Sequence, residues 1–165
     1  MASTEIRGGL SYVKPEGQNM CLYAGVEILL KYNGVENFNQ HNLFKINQNR
    51  VVKGIADTLQ TIPDLKGLII EYPATKECSL DKIRTYIRQD CPVLVNLYDR
   101  HHSDQGMGHS YIVKAYDDEI KVIRLVDPNQ DVDQREISLS YDQFQQKWNN
   151  GPILELIAVR RNMSI

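Results

Sequence analysis

A chain of 165 residues, 42 % hydrophobic and 24 % charged, has the size and composition of one globular domain that can bury its own core. Its net charge of −2 shows no basic excess, which argues against nucleic acid or an anionic membrane as the default partner. Three cysteines with no CxxC pair argue against a disulfide framework and against a structural zinc site.

Taken in chain order, the first residues, Met-Ala-Ser-Thr-Glu-Ile-Arg, lack the apolar stretch of a signal peptide, and residues 1–9 are expected to form a flexible tail. Residues 20–32 carry Leu22, Val26, Leu29 and Leu30 at helical spacing, with Asn33-Gly34 as a stop. A second helix is expected over 51–59, with Pro63 just beyond it, and a third over 80–89, with Ser79 as its N-cap and Leu80, Ile83 and Ile87 inward. The back half changes character. Residues 93–98, 110–116, 120–126 and 153–159 are rich in β-branched and aromatic side chains, and Asp117-Asp118-Glu119 reads as a hairpin turn between two of these strands. A short helix is expected over 141–148. Helices followed by antiparallel strands imply an α+β domain, here a single one over residues 1–165. No apolar run approaches the ~18 residues of a membrane helix. The expected address is the cytoplasm, or export without a signal peptide.

The chemistry concentrates at three places. Cys21 opens the first strong helix, where the helix dipole favours thiolate over thiol. Gly25 shares its face and is expected to leave the backbone side of the sulfur uncrowded. Gln18, just upstream, could donate its amide to a developing oxyanion beside the Cys21 N–H, with Asn19 as the alternative donor. A cysteine in an amphipathic helix is more often a small core hydrophobe, so position alone does not decide. Cys78 and Cys91 lack the helix-start context and read as structural.

His109 follows Gly108 at the mouth of a strand, and Asp127 ends the next one before Pro128. Pairing through the 117–119 turn would set residues whose numbers sum to about 236 opposite each other, and His109 and Asp127 do so. A strand-start histidine and a strand-end Asp-Pro are separately common turn chemistry. Together with Cys21 they make a nucleophile, base and orienter in the order of a thiol hydrolase. His101 and His102 fall in a polar loop, the expected rim of the site, and make a poor chelating pair because adjacent side chains diverge. His41 reads as surface. No cofactor or metal is expected.

Asn19-Met-Cys-Leu-Tyr-Ala-Gly-Val-Glu-Ile-Leu-Leu-Lys-Tyr-Asn-Gly34 resembles the cysteine helix of papain-like peptidases, especially the bacteriocin-leader-processing (double-glycine) branch. Gly108-His-Ser-Tyr-Ile-Val and Arg124-Leu-Val-Asp-Pro128 are similar to that branch's histidine strand and its Asp-Pro, and the former is also similar to the calpain histidine strand. Tyr141-Asp-Gln-Phe-Gln-Gln-Lys-Trp148 resembles the Phe…Trp helix that follows. The resemblance implies a papain-like fold, with N-terminal helices packed on a C-terminal antiparallel sheet. It also implies a Cys21–His109–Asp127 triad acting through a thioester on a peptide or protein substrate. Two features depart from the family. Its oxyanion glutamine stands six residues before the cysteine, where this chain has Pro15, and Cys-Gly or Cys-Trp is here Cys21-Leu22. Bacterial effectors with the same triad include glutamine deamidases, so a deamidase or transglutaminase is the alternative. A papain-like binding module with an inert Cys21 is the third reading.

Overall fold

Strands that are apolar on both faces need cover on both sides, and the central strands of this chain are of that kind. The computed structural model describes residues 3–98 and 108–162. In chain order these form β1 (Ser3–Glu5), α1 (Cys21–Tyr32), α2 (Gln40–Ile46), α3 (Val52–Leu59), β2 (Leu68–Glu71), α4 (Leu80–Arg88), β3 (Val93–Leu97), β4 (His109–Asp117), β5 (Val122–Val126), β6 (Glu136–Ser140), α5 (Tyr141–Asn149) and β7 (Leu156–Arg161). The strands make one antiparallel sheet in the order β2-β7-β3-β4-β5-β6, with β1 paired to β4. The fold is α+β and papain-like, as the sequence implies.

Alternation along the strands divides the interior in two. Leu94, Ile112, Val126, Ile157 and Val159 join the core built around α1 and α3. Val93, Val95, Val113, Leu125 and Ala158 point the other way, into a core closed by Ile83 and Ile87 of α4 and Phe144 and Trp148 of α5. Helices therefore cover both faces.

The helix ends follow from local chemistry. Ser79 accepts a hydrogen bond from the Lys82 N–H and caps α4. Asn33 ends α1, and Gly34 follows at φ +88°, a left-handed conformation that suits glycine. Gly25 is used differently from the expectation. A Cβ there would stand 2.7 Å from Leu94 Cδ1 and 3.5 Å from Ile112 Cδ1, so the glycine lets α1 lie close on β3 and β4. It fixes the distance between helix and sheet rather than clearing space around sulfur.

The expected tail is not one at residues 3–6. Ser3, Thr4 and Glu5 pair with Asp117, Tyr116 and Ala115, beyond Val113 where β3 starts its pairing with β4, and Ile6 is buried. Glu5 adds ion pairs to Lys114 and Arg124. The turn after β4 is also longer than expected. Asp117 Oδ1 accepts from the N–H groups of Glu119 and Ile120, and β5 starts only at Val122. The last strand likewise begins at Leu156 rather than at 153.

Candidate functional site

α1 begins at Cys21 itself, and no side chain caps it, so its first amide groups face the site unpaired by a cap. Packing at Gly25 holds this end of the helix over the start of β4, where His109 is the first strand residue. Asp127 follows β5. Cys21, His109 and Asp127 line one cleft of about 480 Å³, together with Gln18, Asn19 and Tyr111.

His109 Nε2 lies 2.5 Å from Asp127 Oδ1. The same oxygen accepts from the Asn129 N–H at 2.9 Å, which fixes the carboxylate. With Nε2 engaged, Nδ1 is the ring nitrogen left for the sulfur. Tyr111 meets the imidazole edge-on, with ring centroids 4.7 Å apart, and props it from the side.

The protonation states follow from these contacts. Burial pushes the Cys21 thiol up, but hydrogen bonds from the His109 side chain and the Ser110 backbone outweigh it and bring the thiol below its ordinary value. Burial pushes His109 down, while its bonds to Asp127 and Cys21 and their charges raise it to about 9. Asp127 is held below the ordinary carboxylate range: burial opposes this, but the bond to His109 and its positive charge prevail. Each shift favours a thiolate–imidazolium pair backed by a carboxylate, and such a pair can attack a carbonyl carbon without a metal.

The other two cysteines contrast with this. Both are buried. Burial raises Cys78, and it pushes Cys91 up to about 12. They are structural thiols, as expected.

The expected register between His109 and Asp127 is corrected in detail. Val113 faces Leu125 and Ile112 faces Val126, a sum of 238, and an irregularity between Val113 and Ala115 shifts the rest to 239. The two residues are therefore two positions out of register, on the same face, and meet diagonally. Gln18 and Asn19 are both exposed and both line the cleft. Asn19 also borders a second, small cavity that Cys21 lines, and has φ 61°. His101 and His102 lie outside the described residues. His41 is exposed and pairs with Glu16.

Sequence reading missed the role of Tyr98. Its ring lies against Gly108, where a Cβ would come within 2.7 Å of Cζ, so a glycine must precede His109. The Gly-His step was visible, but its aromatic neighbour is eleven residues away from the histidine and carries no local signal.

A larger cavity, about 860 Å³, lies at the far ends of α1 and α4 and contains neither cysteine nor histidine. Its carboxylates are already committed, Glu71 to Arg160 and Asp90 to the Tyr32 hydroxyl. Among the described residues no cluster of three or more His, Cys, Asp or Glu could hold a metal ion. No described helix is long and apolar enough to cross a membrane.

A papain-like sheet and helix frame with a cysteine at a helix start defines the class as cysteine peptidases. The profile of the Peptidase_C39 like family matches residues 10–151, and the chain belongs to that family. Among solved structures it is similar in fold to the peptidase domain of Streptococcus ComA, a bifunctional ABC transporter involved in a quorum-sensing pathway (17 % identity, 91 % of this chain and 97 % of that one, TM-score 0.58). A C39-like peptidase from Bacillus anthracis superposes over 96 % of this chain and 98 % of its own, at 13 % identity and TM-score 0.71. Xylellain, a cysteine protease from Xylella fastidiosa, covers 99 % of this chain and 87 % of its own, at 11 % identity and TM-score 0.61. No curated protein matches the chain.

Proposed function

We propose that this chain is a cysteine peptidase that hydrolyses peptide bonds through Cys21, His109 and Asp127. The observation that carries the reading is the convergence of the three in one cleft, with the thiol lowered and the imidazole raised to about 9. The Cys21 thiolate attacks the scissile carbonyl carbon, and the carbonyl π electrons move to oxygen. His109, protonated, gives its proton to the departing amine as the C–N bond breaks, leaving a thioester on sulfur. Water then loses a proton to His109 and attacks the thioester, releasing the carboxylic acid and restoring the thiolate. Asp127 holds the imidazole in place and balances its charge.

The Cys21 N–H at the uncapped helix start is one donor for the oxyanion, and Gln18 or Asn19 supplies the second. An inert binding module is disfavoured, because burial in a core raises a thiol and Cys21 is lowered. Incubating the protein with a mixture of unstructured peptides tests the reading by mass spectrometry. New termini that vanish in Cys21→Ala support it. Ammonia release from glutamine side chains without chain cleavage would assign the same acyl-enzyme chemistry to a deamidase instead.

A further inference from the structure

The face of the sheet beneath α1 is apolar where the helix crosses it. Leu94 and Ile112 are partners across β3 and β4, and both pack at Gly25. Four residues earlier along the helix, about 6 Å by helical rise, is Cys21. Two residues further along the strands, about 6.6 Å, is the next cross-strand pair on that face, Asn96 and Ser110. The two steps match, so a polar pair lies under the sulfur. Cys21, Asn96 and Ser110 accordingly border one small cavity of about 110 Å³.

Ser110 is only 1 % exposed, and its hydroxyl donates to Asn96 Oδ1 at 2.6 Å. An aliphatic pair would fill this face without the desolvation cost of two polar groups, so packing gives no reason for serine and asparagine here. We propose that Ser110 and Asn96 form a hydrogen-bond relay that holds the Cys21 sulfur in its charged form, an inference that rests on the reading of Cys21 as the nucleophile.

A hydroxyl has one hydrogen to give. While the thiol is neutral, that hydrogen goes to Asn96 Oδ1. When the sulfur loses its proton to His109, the hydroxyl turns toward the negative charge and donates to it. Ser110 Oγ then lacks a donor of its own, and Asn96 supplies one by turning its amide so that Nδ2–H points at Oγ. Asparagine is suited to this because its amide presents an acceptor and two donors from nearly superimposable positions. The backbone and side chain of Ser110 both favour the thiolate, in addition to His109. The other charged groups around the sulfur are Asp127 behind His109, Arg50 at the small cavity and Lys147 of α5 across the cleft. None of them lies between Ser110 and Asn96. Ser110 is thus a donor to the nucleophile, and Asn96 is a positioning residue that acts through it.

The test is the pH dependence of Cys21 alkylation by iodoacetamide, read by mass spectrometry of the Cys21 peptide, with melting curves as a check on folding. Ser110→Ala should raise the Cys21 pKa by about one to two units, since a hydrogen bond to a charged group is worth that much. Ser110→Thr, which keeps the hydroxyl, should restore most of the shift. Asn96→Ala should raise the pKa by less, and should add nothing on the Ser110→Ala background. An unchanged titration in a folded Ser110→Ala protein overturns the relay. Additive shifts from the two positions also overturn it, because Asn96 would then act on sulfur directly. If Ser110→Ala does not fold, Asn96→Ala decides alone, and a native curve refutes the relay. The readout needs no substrate, so the expected shifts without any peptide cleavage would keep the relay and sink the peptidase reading.

Discussion

His109 and Asp127 meet across the β4–β5 hairpin as diagonal neighbours. Ile112 faces Val126, so by the same register Asp127 falls opposite Tyr111, and His109 lies two positions further out on the same face. The offset has a consequence for orientation. A directly opposed pair would place the carboxylate beside the ring's root, whereas the diagonal lets Nε2 reach Oδ1 at 2.5 Å. Tyr111, in the intervening position, contacts the ring edge-on. The strand irregularity between Val113 and Ala115 absorbs the shift that the long turn imposes, so the open end of the hairpin keeps its register.

Asp127 contributes both geometry and charge, and two substitutions separate them. Asp127→Asn keeps an oxygen that can accept the Nε2–H but removes the negative charge. The imidazole pKa should then fall back from about 9, so that activity is lost at a lower pH on the alkaline side. Asp127→Ala removes the acceptor as well and should lower kcat/KM by about 10²–10⁴-fold at every pH. Both should fold, which circular dichroism can verify. Full turnover by Asp127→Ala would exclude it from the proposed triad.

The two shifted groups also define a pH window. Activity should appear as pH rises through the lowered Cys21 pKa and disappear as His109 loses its proton near 9. Stability should move with His109 and Asp127. A raised imidazole pKa means that the folded state binds the proton more tightly than the unfolded chain. Its stabilisation is complete below the ordinary value of 6.5 and is lost as pH climbs through about 9. Asp127, with a lowered pKa, contributes above the ordinary 3.8 and loses its contribution as pH falls through the lower folded value. Urea midpoints of the native protein and His109→Ala, compared at pH 6 and 9.5, should differ more at the lower pH. An equal difference at both would contradict the raised imidazole.

Much of this architecture was legible in the sequence, and the gaps have physical causes. α1, α3, α4 and α5 show strong apolar periodicity, and their bounds fall within a residue or two of expectation. α2 is absent from the expectation because Gln40–Ile46 is only seven residues long, too short to show a helical stripe, and its start is marked by a reciprocal cap between Asn39 and Asn42 rather than by apolar periodicity. β1, β2 and β6 were missed because they are short and sit where one edge or face is wet. That Cys21, His109 and Asp127 line one cleft agrees with an expectation drawn from their order and context. The register was not, because it depended on the turn. Nor was the polar floor of Ser110 and Asn96, since no sequence separation announces a cross-strand partner.

Gly108 should be intolerant of substitution for a reason unrelated to backbone freedom. A Cβ there would meet the Tyr98 ring at 2.7 Å; the ring also packs closely against Gly151, and the Tyr98 backbone is fixed by its N–H to the Lys147 carbonyl and by the Asn150 amide on its own carbonyl. The ring cannot retreat easily, so β4 must shift at the residue that precedes His109. Gly108→Ala should cost about 1–3 kcal/mol of stability, as overpacking does, and should lower kcat more than KM. Adding Tyr98→Ala to it should recover part of the activity by removing the obstacle. Failure of the double variant to exceed Gly108→Ala would show that the glycine acts in another way.

The second oxyanion donor is the least constrained part of the site, and substitutions must respect the backbone to identify it. Gln18 and Asn19 are adjacent, exposed and at the cleft. They differ in conformation, because Asn19 has φ 61°, where alanine would add strain of its own. Gln18→Ala is a fair deletion at the first position, and Asn19→Gly is the fair one at the second, since glycine keeps the left-handed backbone while removing the amide. Loss of the true donor should cost about 2.7–4 kcal/mol of transition-state stabilisation, a fall of about 10²–10³-fold in kcat with KM nearly unchanged. The expectation is that Gln18→Ala shows this fall. A fall in Asn19→Gly alone would transfer the role to Asn19, which borders both cavities beside Cys21. The thiol titration should be unaltered in either variant, because the donor acts on the carbonyl oxygen and not on sulfur. If kcat is native in both, the Cys21 N–H at the uncapped start of α1 has a different second partner, and Gln18 has no part in the chemistry.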